Sequence, residues 1–305
     1  QLQACITAAT QKRMLTEAHA KVSDEERVVY VGSAGGGNAW LDATTRHAST
    51  SISDPAVRDA VALLLHLPVA PAGAKDKDVC DECGIMQAST GEHAHLCVRM
   101  ASGQARAACS AAALCDAIGA LPGFKVVGGT KKSAYGHPHE PRIATELSEL
   151  GLKETPYGAE HGREKRADLA FHTPTGTLIA VDFVVIASHS VNTIEAAGKE
   201  RGAAAKQAEK NKINHYSKFY SNFSDKLNVF VPAAIEIHGT IGRRYNSLLK
   251  TIAAFAYPNL HGWDVDGLRS RCIAQLRQRV SCGMVRGNHK VLAHWRATSW
   301  PVVRA

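Results

Sequence analysis

Aromatic residues are scarce, at 6% of 305 positions, although 45% of the chain is hydrophobic. That is enough for one large or two modest domains. Long apolar runs are missing. None approaches the ~20 residues of a membrane span, so no membrane partner is expected. The opening Gln1-Leu-Gln-Ala-Cys5 has neither a Met start nor a signal-peptide pattern, and the chain reads as a fragment of a longer protein. A cysteine framework is also lacking. Of eight cysteines, three fall within Cys80 to Cys97 and the rest are scattered. This argues against disulfides and for a metal site in a reducing, intracellular compartment. The glycine-rich tract Gly32-Ser-Ala-Gly-Gly-Gly37 lacks the strand and the Gly-Lys-Ser/Thr of a phosphate loop, and reads as a flexible break. Acidic residues are in deficit, 28 against 36 Lys and Arg, giving a net charge of +8. A polyanion is the expected partner, and nucleic acid is the commonest one.

The informative stretch runs from Glu164 to Tyr216. Leu169 to Phe171 and Thr177 to Ile186 have strand composition, with a turn at His172 to Gly176 between them, so a β-hairpin is expected. Folding about Pro174 sets Asp168 opposite a residue near Ala180. Asp182 is then one same-face step further along, a diagonal neighbour roughly 7–8 Å away. A carboxylate inside Leu-Ile-Ala-Val-Asp-Phe-Val-Val-Ile is costly unless something pairs with it. A divalent cation shared by the two acids is one solution, and oxygen ligands suit Mg²⁺ or Mn²⁺. An Ala/Lys/Glu helix is expected over Glu195 to Tyr220, with Lys199, Lys206, Lys210 and Lys212. Most of these lysines read as a solvated or phosphate-facing side, while Lys212 and Tyr216 share one face. Two acids on strands plus a lysine form the minimal set for metal-dependent phosphodiester cleavage. The metal polarises phosphate and acidifies a bound water, and the lysine stabilises developing negative charge.

A second constellation precedes it. Cys80-Asp-Glu-Cys83-Gly84 and Gly91-Glu-His93-Ala-His95-Leu-Cys97 supply two thiolates from a tight turn, then an imidazole and a thiolate. This set fits a tetrahedral Zn²⁺ site, with the metal holding together a segment too short for its own core.

The remaining chain alternates helices and strands. Residues 1–30 read as helical, with a break near Ser23-Asp24, and Trp40 reads as a core anchor. A helix starts at Ser53-Asp54-Pro55, where a cap residue precedes Pro in the first turn, and runs to His66. Residues 68–78 form a linker. Ser102 to Leu121 is an Ala-rich helix with Leu114 and Ile118, on which Cys109 and Cys115 read as small core residues. Phe124 to Val127 is a strand. The polar loop Gly128 to His139 places Lys131 and Lys132 near phosphate. Leu227 to His238 is a buried strand in which Pro232 suggests a bulge or an irregular edge. Arg243 to Ala256 is a helix with Leu248, Leu249 and Ile252 inward, and Gly267 to Val280 is another. The arginines of the C-terminal part read either as backbone contacts to nucleic acid or as a solvated face.

These residues together resemble the C-terminal part of site-specific non-LTR retrotransposon polyproteins, which carry a restriction-enzyme-like endonuclease after the reverse transcriptase. The resemblance is carried by Arg166-Ala167-Asp168, thirteen intervening residues, Asp182-Phe183-Val184-Val185, and then Lys212-Ile-Asn-His215-Tyr216. It extends to the Cys/His knuckle, Glu140-Pro141, the Glu236-Ile-His238-Gly239 segment and the closing Arg286-Gly287-Asn288. It implies an α/β (α+β) fold with a PD-(D/E)xK restriction-endonuclease-like core, a CCHC zinc knuckle and flanking helices. The catalytic lysine has moved to the helix, and Val184 occupies its usual strand position. The family spacing selects His93 as zinc ligand, with His95 the alternative.

The implied domains are a helical region at 1–75, the knuckle at 76–100, the nuclease core at 101–245 and a basic helical region at 246–305. The implied activity is a Mg²⁺- or Mn²⁺-dependent DNA endonuclease that nicks target DNA to prime reverse transcription. Asp168 and Asp182 hold the metal together with the Phe183 carbonyl, Lys212 stabilises charge and Tyr216 supports it. Lys131, Lys132, Arg166, Lys206, Lys210, His215 and Arg286 contact nucleic acid. Double-stranded target DNA, element RNA and a covalently linked upstream reverse transcriptase are the implied partners, and the nucleus is the implied location. Two other readings are a catalytically decayed nucleic-acid-binding module of the same fold and a junction-resolving nuclease. Ala167, Val184 and His215 depart from the family pattern. Asp116 is the one acid on the Ala-rich helix, where many such nucleases carry a further metal ligand.

Overall fold

The structure is a computed structural model that describes residues 22–33, 36–43, 50–69, 80, 83–84, 90–97, 102–126, 168–188, 190, 192–217, 230–258 and 264–299. Lys131, Lys132, Glu140 and Arg166 lie outside the described residues.

The described helices are α1 (Asp24–Ser33), α2 (Asp54–Leu64), α3 (Glu92–Leu96), α4 (Ser102–Gly119), α5 (Ile194–Lys199), α6 (Ala203–Ser217), α7 (Arg243–Ala256) and α8 (Val265–Ser299). A 3-10 segment spans Gly36–Asp42. Strands β1 (Lys125–Val126), β2 (Leu169–His172), β3 (Leu178–Ile186) and β4 (Phe230–Glu236) form one sheet in the order β1-β2-β3-β4. β1, β2 and β3 pair antiparallel, whereas β4 runs parallel to β3. The chain is thus mixed α/β with a mixed four-stranded sheet. Antiparallel neighbours need only a turn, while the parallel pair needs a crossover, which α5 and α6 supply. Pro232 sits in regular pairing opposite Asp182. β4 is an edge strand among the described residues, where a missing N–H is tolerated.

β3 shows why both faces of the sheet are covered. Ile179, Val181 and Phe183 point into the main core, which takes Leu114 and Ile118 from α4, Leu248, Leu249 and Ile252 from α7, and Leu276, Val280 and Met284 from α8. Val184 and Ile186, on the alternate face, pack with Ala205 and Ala208 of α6 and Ala234 of β4. A strand buried on both sides reads as a near-continuous apolar run, and this is the pattern of Leu178 to Ile186. Trp40 is buried with Ala56, Ala60, Cys282 and Val285. Among the described residues, no helix is long and apolar enough to cross a membrane.

Four expectations need correction. The break at Gly32 to Gly37 is narrower than expected, because α1 runs to Ser33 and the 3-10 segment starts at Gly36. Gly32 is buried, and a Cβ there would lie 3.0 Å from that of His238. Ser53 caps α2 through its backbone alone, its carbonyl accepting from Val57 N at 2.9 Å. The single helix expected over Glu195 to Tyr220 is two. Glu200 is extended and Gly202 has φ +81, a conformation that ends one helix and starts another.

The helix ending at Val280 and the segment after it are in fact one 35-residue helix, α8. It runs past α4, α7, α2 and the Cys/His region. Gly283 and Gly287, one turn apart, face α4. A Cβ at Gly283 would lie 2.7 Å from the Cys109 carbonyl oxygen, and one at Gly287 would lie 2.8 Å from Arg106 Cα. Both glycines are therefore there for close helix approach rather than for flexibility.

Gly→Ala in a helix interior ordinarily stabilises by about 0.5–1 kcal/mol, whereas overpacking a tight contact costs about 1–3 kcal/mol. Gly283→Ala and Gly287→Ala should each lower stability, by roughly 1–2 kcal/mol net, in denaturant melts. Gly198→Ala, with no atom nearer than 3.6 Å to the new methyl, should be neutral or stabilising.

Candidate active site and metal centre

The β2–β3 turn closes through Thr173 N to Thr177 O and Gly176 N to Thr173 O, both 2.9 Å, with Gly176 at φ +84. The hairpin is therefore centred on Thr175, not Pro174. Its register pairs Leu169 with Val181, and one further step sets Asp168 across from Asp182. The diagonal arrangement expected from the sequence is thus corrected to a direct one. The two carboxyls are near enough for the charge of Asp182 to act directly on Asp168. Asp168 Oδ2 also accepts a 2.6 Å hydrogen bond from Phe183 N, which pins it to β3.

Lys212 completes the group. Its Nζ lies 2.6 Å from Asp182 Oδ2, with side chains 32% and 6% exposed respectively. The approach is too oblique for an aligned hydrogen bond, so the contact is an ion pair. Ala205, Ala208, Glu209 and Lys212 form one helical stripe at i, i+3, i+4 and i+7. The two alanines let α6 lie close on the sheet, and the lysine one turn further on reaches the acid. Lys206, Lys210 and His215 are exposed on α6, and Lys206 Nζ donates to Glu200 at 3.2 Å. Tyr216 lies within α6, but its side chain is outside the described residues. Arg286 Nη1 donates to the Ser51 carbonyl at 3.0 Å. Asp116 is exposed on α4.

Two buried glutamates position this site, and neither role was read from the sequence. Glu236, on β4, accepts from Ala205 N at 3.1 Å and so caps the start of α6. Glu209, on α6, accepts from Arg244 N and Tyr245 N at 3.0 and 3.2 Å and caps α7. Burial raises the pKa of both, against the pull of these N–H donors. A glutamate in the apolar strand Phe230 to Glu236 was the available signal, because a buried carboxylate needs donors. Burial foremost, and then the neighbouring Asp182 charge, push the Asp168 carboxyl up to about 8. The Phe183 N–H and the Lys212 charge only partly offset this. The acid pair therefore favours holding a proton or a cation.

The second cluster is held against α8. Ligand atoms of Cys80, Cys83, His93 and Cys97 all lie within 4.8 Å of one another. Such a Cys₃His set could hold a metal such as zinc. His93 Nε2 is 3.3 Å from Cys83 Sγ. Burial lowers the His93 pKa, which favours the neutral imidazole a metal requires. His95 is turned away from the cluster. Its Nδ1 is 2.7 Å from Arg106 Nη1, and its carbonyl accepts from Nη2 at 3.2 Å. Arg106 is itself buried, which lowers its pKa to about 10. This link ties the cluster to α4. Gly84 and Gly91 have φ +73 and +77, and a Cβ at Gly91 would press on Val69 and Leu292. Leu63, Val69, Leu292 and Trp295 pack around the cysteines.

Chain-bound zinc should be found by atomic absorption in the wild type, be lost in Cys83→Ser and His93→Ala, and persist in His95→Ala. The acid pair has a pH signature. A carboxyl whose pKa rises on folding stabilises the folded state while protonated. That contribution is complete below the unfolded value of ~3.9 and is lost as pH rises through about 8. Without added divalent cations, Asp168→Asn should therefore gain thermal stability relative to wild type between pH 5 and pH 8, read from paired melting curves.

Protein-family models, curated proteins and solved structures include no match to this chain, so the reading of its site rests on its own residues.

Proposed function

We propose that the chain is a metal-dependent DNA endonuclease of the restriction-endonuclease-like, PD-(D/E)xK kind, belonging to a retrotransposon polyprotein. It nicks double-stranded target DNA in the nucleus to leave a 3′-hydroxyl that primes reverse transcription. The reading is carried by one observation, the meeting of Asp168, Asp182 and Lys212 at a single point from two strands and a helix. It is supported by the order acid, acid, lysine along the chain, and by the resemblance drawn from Asp168-x₁₃-Asp182 and Lys212-x₃-Tyr216.

The donor chemistry fits a hard cation. Two adjoining acids whose burial and mutual repulsion disfavour a second negative charge form an oxygen set in which Mg²⁺ or Mn²⁺ would take the place of the proton. When bound there, such a cation supplies phosphate polarisation and an acidified water. Asp168 and Asp182 would hold it. The Lys212 amine, already stationed at the acids, offers positive charge to the phosphate as negative charge develops. Glu236 and Glu209 fix the helix that carries Lys212, so both are positioning residues. The Cys80, Cys83, His93, Cys97 set is read as a CCHC zinc knuckle that staples the N-terminal segments to α8.

A second reading, a non-catalytic module of the same fold that holds target DNA or element RNA, draws on Val184 at the usual lysine position. It also draws on Asp116, which faces solvent rather than the acid pair.

Nicking of supercoiled plasmid in Mg²⁺ or Mn²⁺ separates the two. Wild type should nick. Asp182→Ala and Lys212→Ala should each lose on the order of a hundredfold or more in rate. Equal nicking by wild type and Asp182→Ala would remove the catalytic assignment and leave the binding module.

A further inference from the structure

The solvent faces of α6 and α7 carry one sign of charge. Lys206 and Lys210 are exposed on α6, and Arg243, Arg244 and Lys250 are exposed on α7. Neither helix has an exposed carboxylate. The acid on α6, Glu209, is buried, and α7 has no acid in its sequence. Glu200, which accepts from Lys206, is the nearest exception.

The two helices are locked together at one point. Glu209 Oε1 accepts from Arg244 N and Tyr245 N, and the Arg243 and Arg244 charges act on that carboxylate. The first turn of α7 is therefore tied to α6 three residues before Lys212, while the bodies of the two helices pack on opposite faces of the sheet. Arg243 and Lys250 are seven apart and share a face of α7. Arg277 of α8 joins the same side, its Nη2 bonding Asn246 Oδ1 at 2.7 Å. Exposed cations ordinarily attract nearby carboxylates. Here Glu200 pairs with Lys206 and the buried Glu209 lies near Arg243 and Arg244, but neither helix presents an exposed carboxylate of its own, a charge pattern complementary to a polyanion.

We propose that the exposed cations on either side of the Glu209 joint, and above all Arg243, Arg244 and Lys250, form a phosphate-backbone track for double-stranded DNA. The choice of DNA rests on the proposed function above; the surface itself does not depend on catalysis. Backbone contacts of this kind set orientation and register without reading bases.

The test is equilibrium binding of a labelled duplex DNA of about 30 base pairs, sized to cover several phosphate contacts. The full chain is used across a salt series, in Ca²⁺ without Mg²⁺. Each lost phosphate contact lowers the salt slope by about 0.9. Arg243→Ala/Lys250→Ala should lower the slope of log K against log salt by about 2 and weaken binding at least ~10-fold near 0.1 M salt. Arg58→Ala/Lys290→Ala, which removes two exposed cations from α2 and α8, should leave the slope unchanged. Equal slopes for the two double variants would overturn the proposal. So would tighter binding of an RNA duplex of the same length, which would assign the track to A-form nucleic acid. Loss of nicking with the slope difference intact would count against the nuclease reading alone. Intact nicking with equal slopes would count against the track alone.

Discussion

Asp182 sits in the middle of a strand buried on both faces, and its charge is what the rest of the site answers. A carboxylate taken out of water there needs a cation or a proton. The chain supplies both, a lysine amine at 2.6 Å and a second carboxyl alongside that burial turns into a proton holder. An acid pair placed this way with no other purpose would only subtract from stability. Its place inside the buried sheet is a physical reason to look for chemistry there.

Everything that brings Lys212 to Asp182 follows from how α6 is seated. Alanines at 205 and 208 let the helix approach the sheet, Gly202 sets its start, and Glu236 satisfies the N–H of Ala205 from below. Glu209 then passes the constraint on to α7, whose inner face closes the core over Phe183. In the same core as α7, on the face of the sheet opposite α6, α8 does the long-range work. It packs on α4 through two glycines, pairs Arg296 and His289 with Asp59 of α2, and ends against the thiolate cluster at Trp295. Burial works against the Asp59 carboxylate, but the hydrogen bonds from Arg296 and His289 outweigh it and hold its pKa low. The acid–lysine group and the Cys/His cluster are thus connected through α4, α8 and the Arg106–His95 link.

Much of this was legible from residue order. The hairpin, both acids, the lysine and the three cysteines of the cluster carry strong local signals in composition and spacing, whereas the choice of His93 over His95 came from the family resemblance. The register was off by two residues, since a Thr-Pro-Thr-Gly turn can close at more than one point and only hydrogen bonding decides. The helix break at Gly202 and the continuity of α8 through Gly283 and Gly287 went unread for one reason. A glycine in a helical pattern can mean a stop or a close contact, and only the neighbouring surface tells which. The caps made by Glu236 and Glu209 join segments about thirty residues apart, beyond any local pattern. The basic loop expected around Lys131 and Lys132, and Arg166, lie outside the described residues.

The most direct test of the claim that Asp168, Asp182 and Lys212 surround one cation site is Mn²⁺ binding followed by electron paramagnetic resonance, on zinc-replete protein without DNA. Saturable binding at a site that disappears in Asp182→Asn, with zinc content unchanged, is the result expected. Identical Mn²⁺ binding in wild type and Asp182→Asn would contradict it.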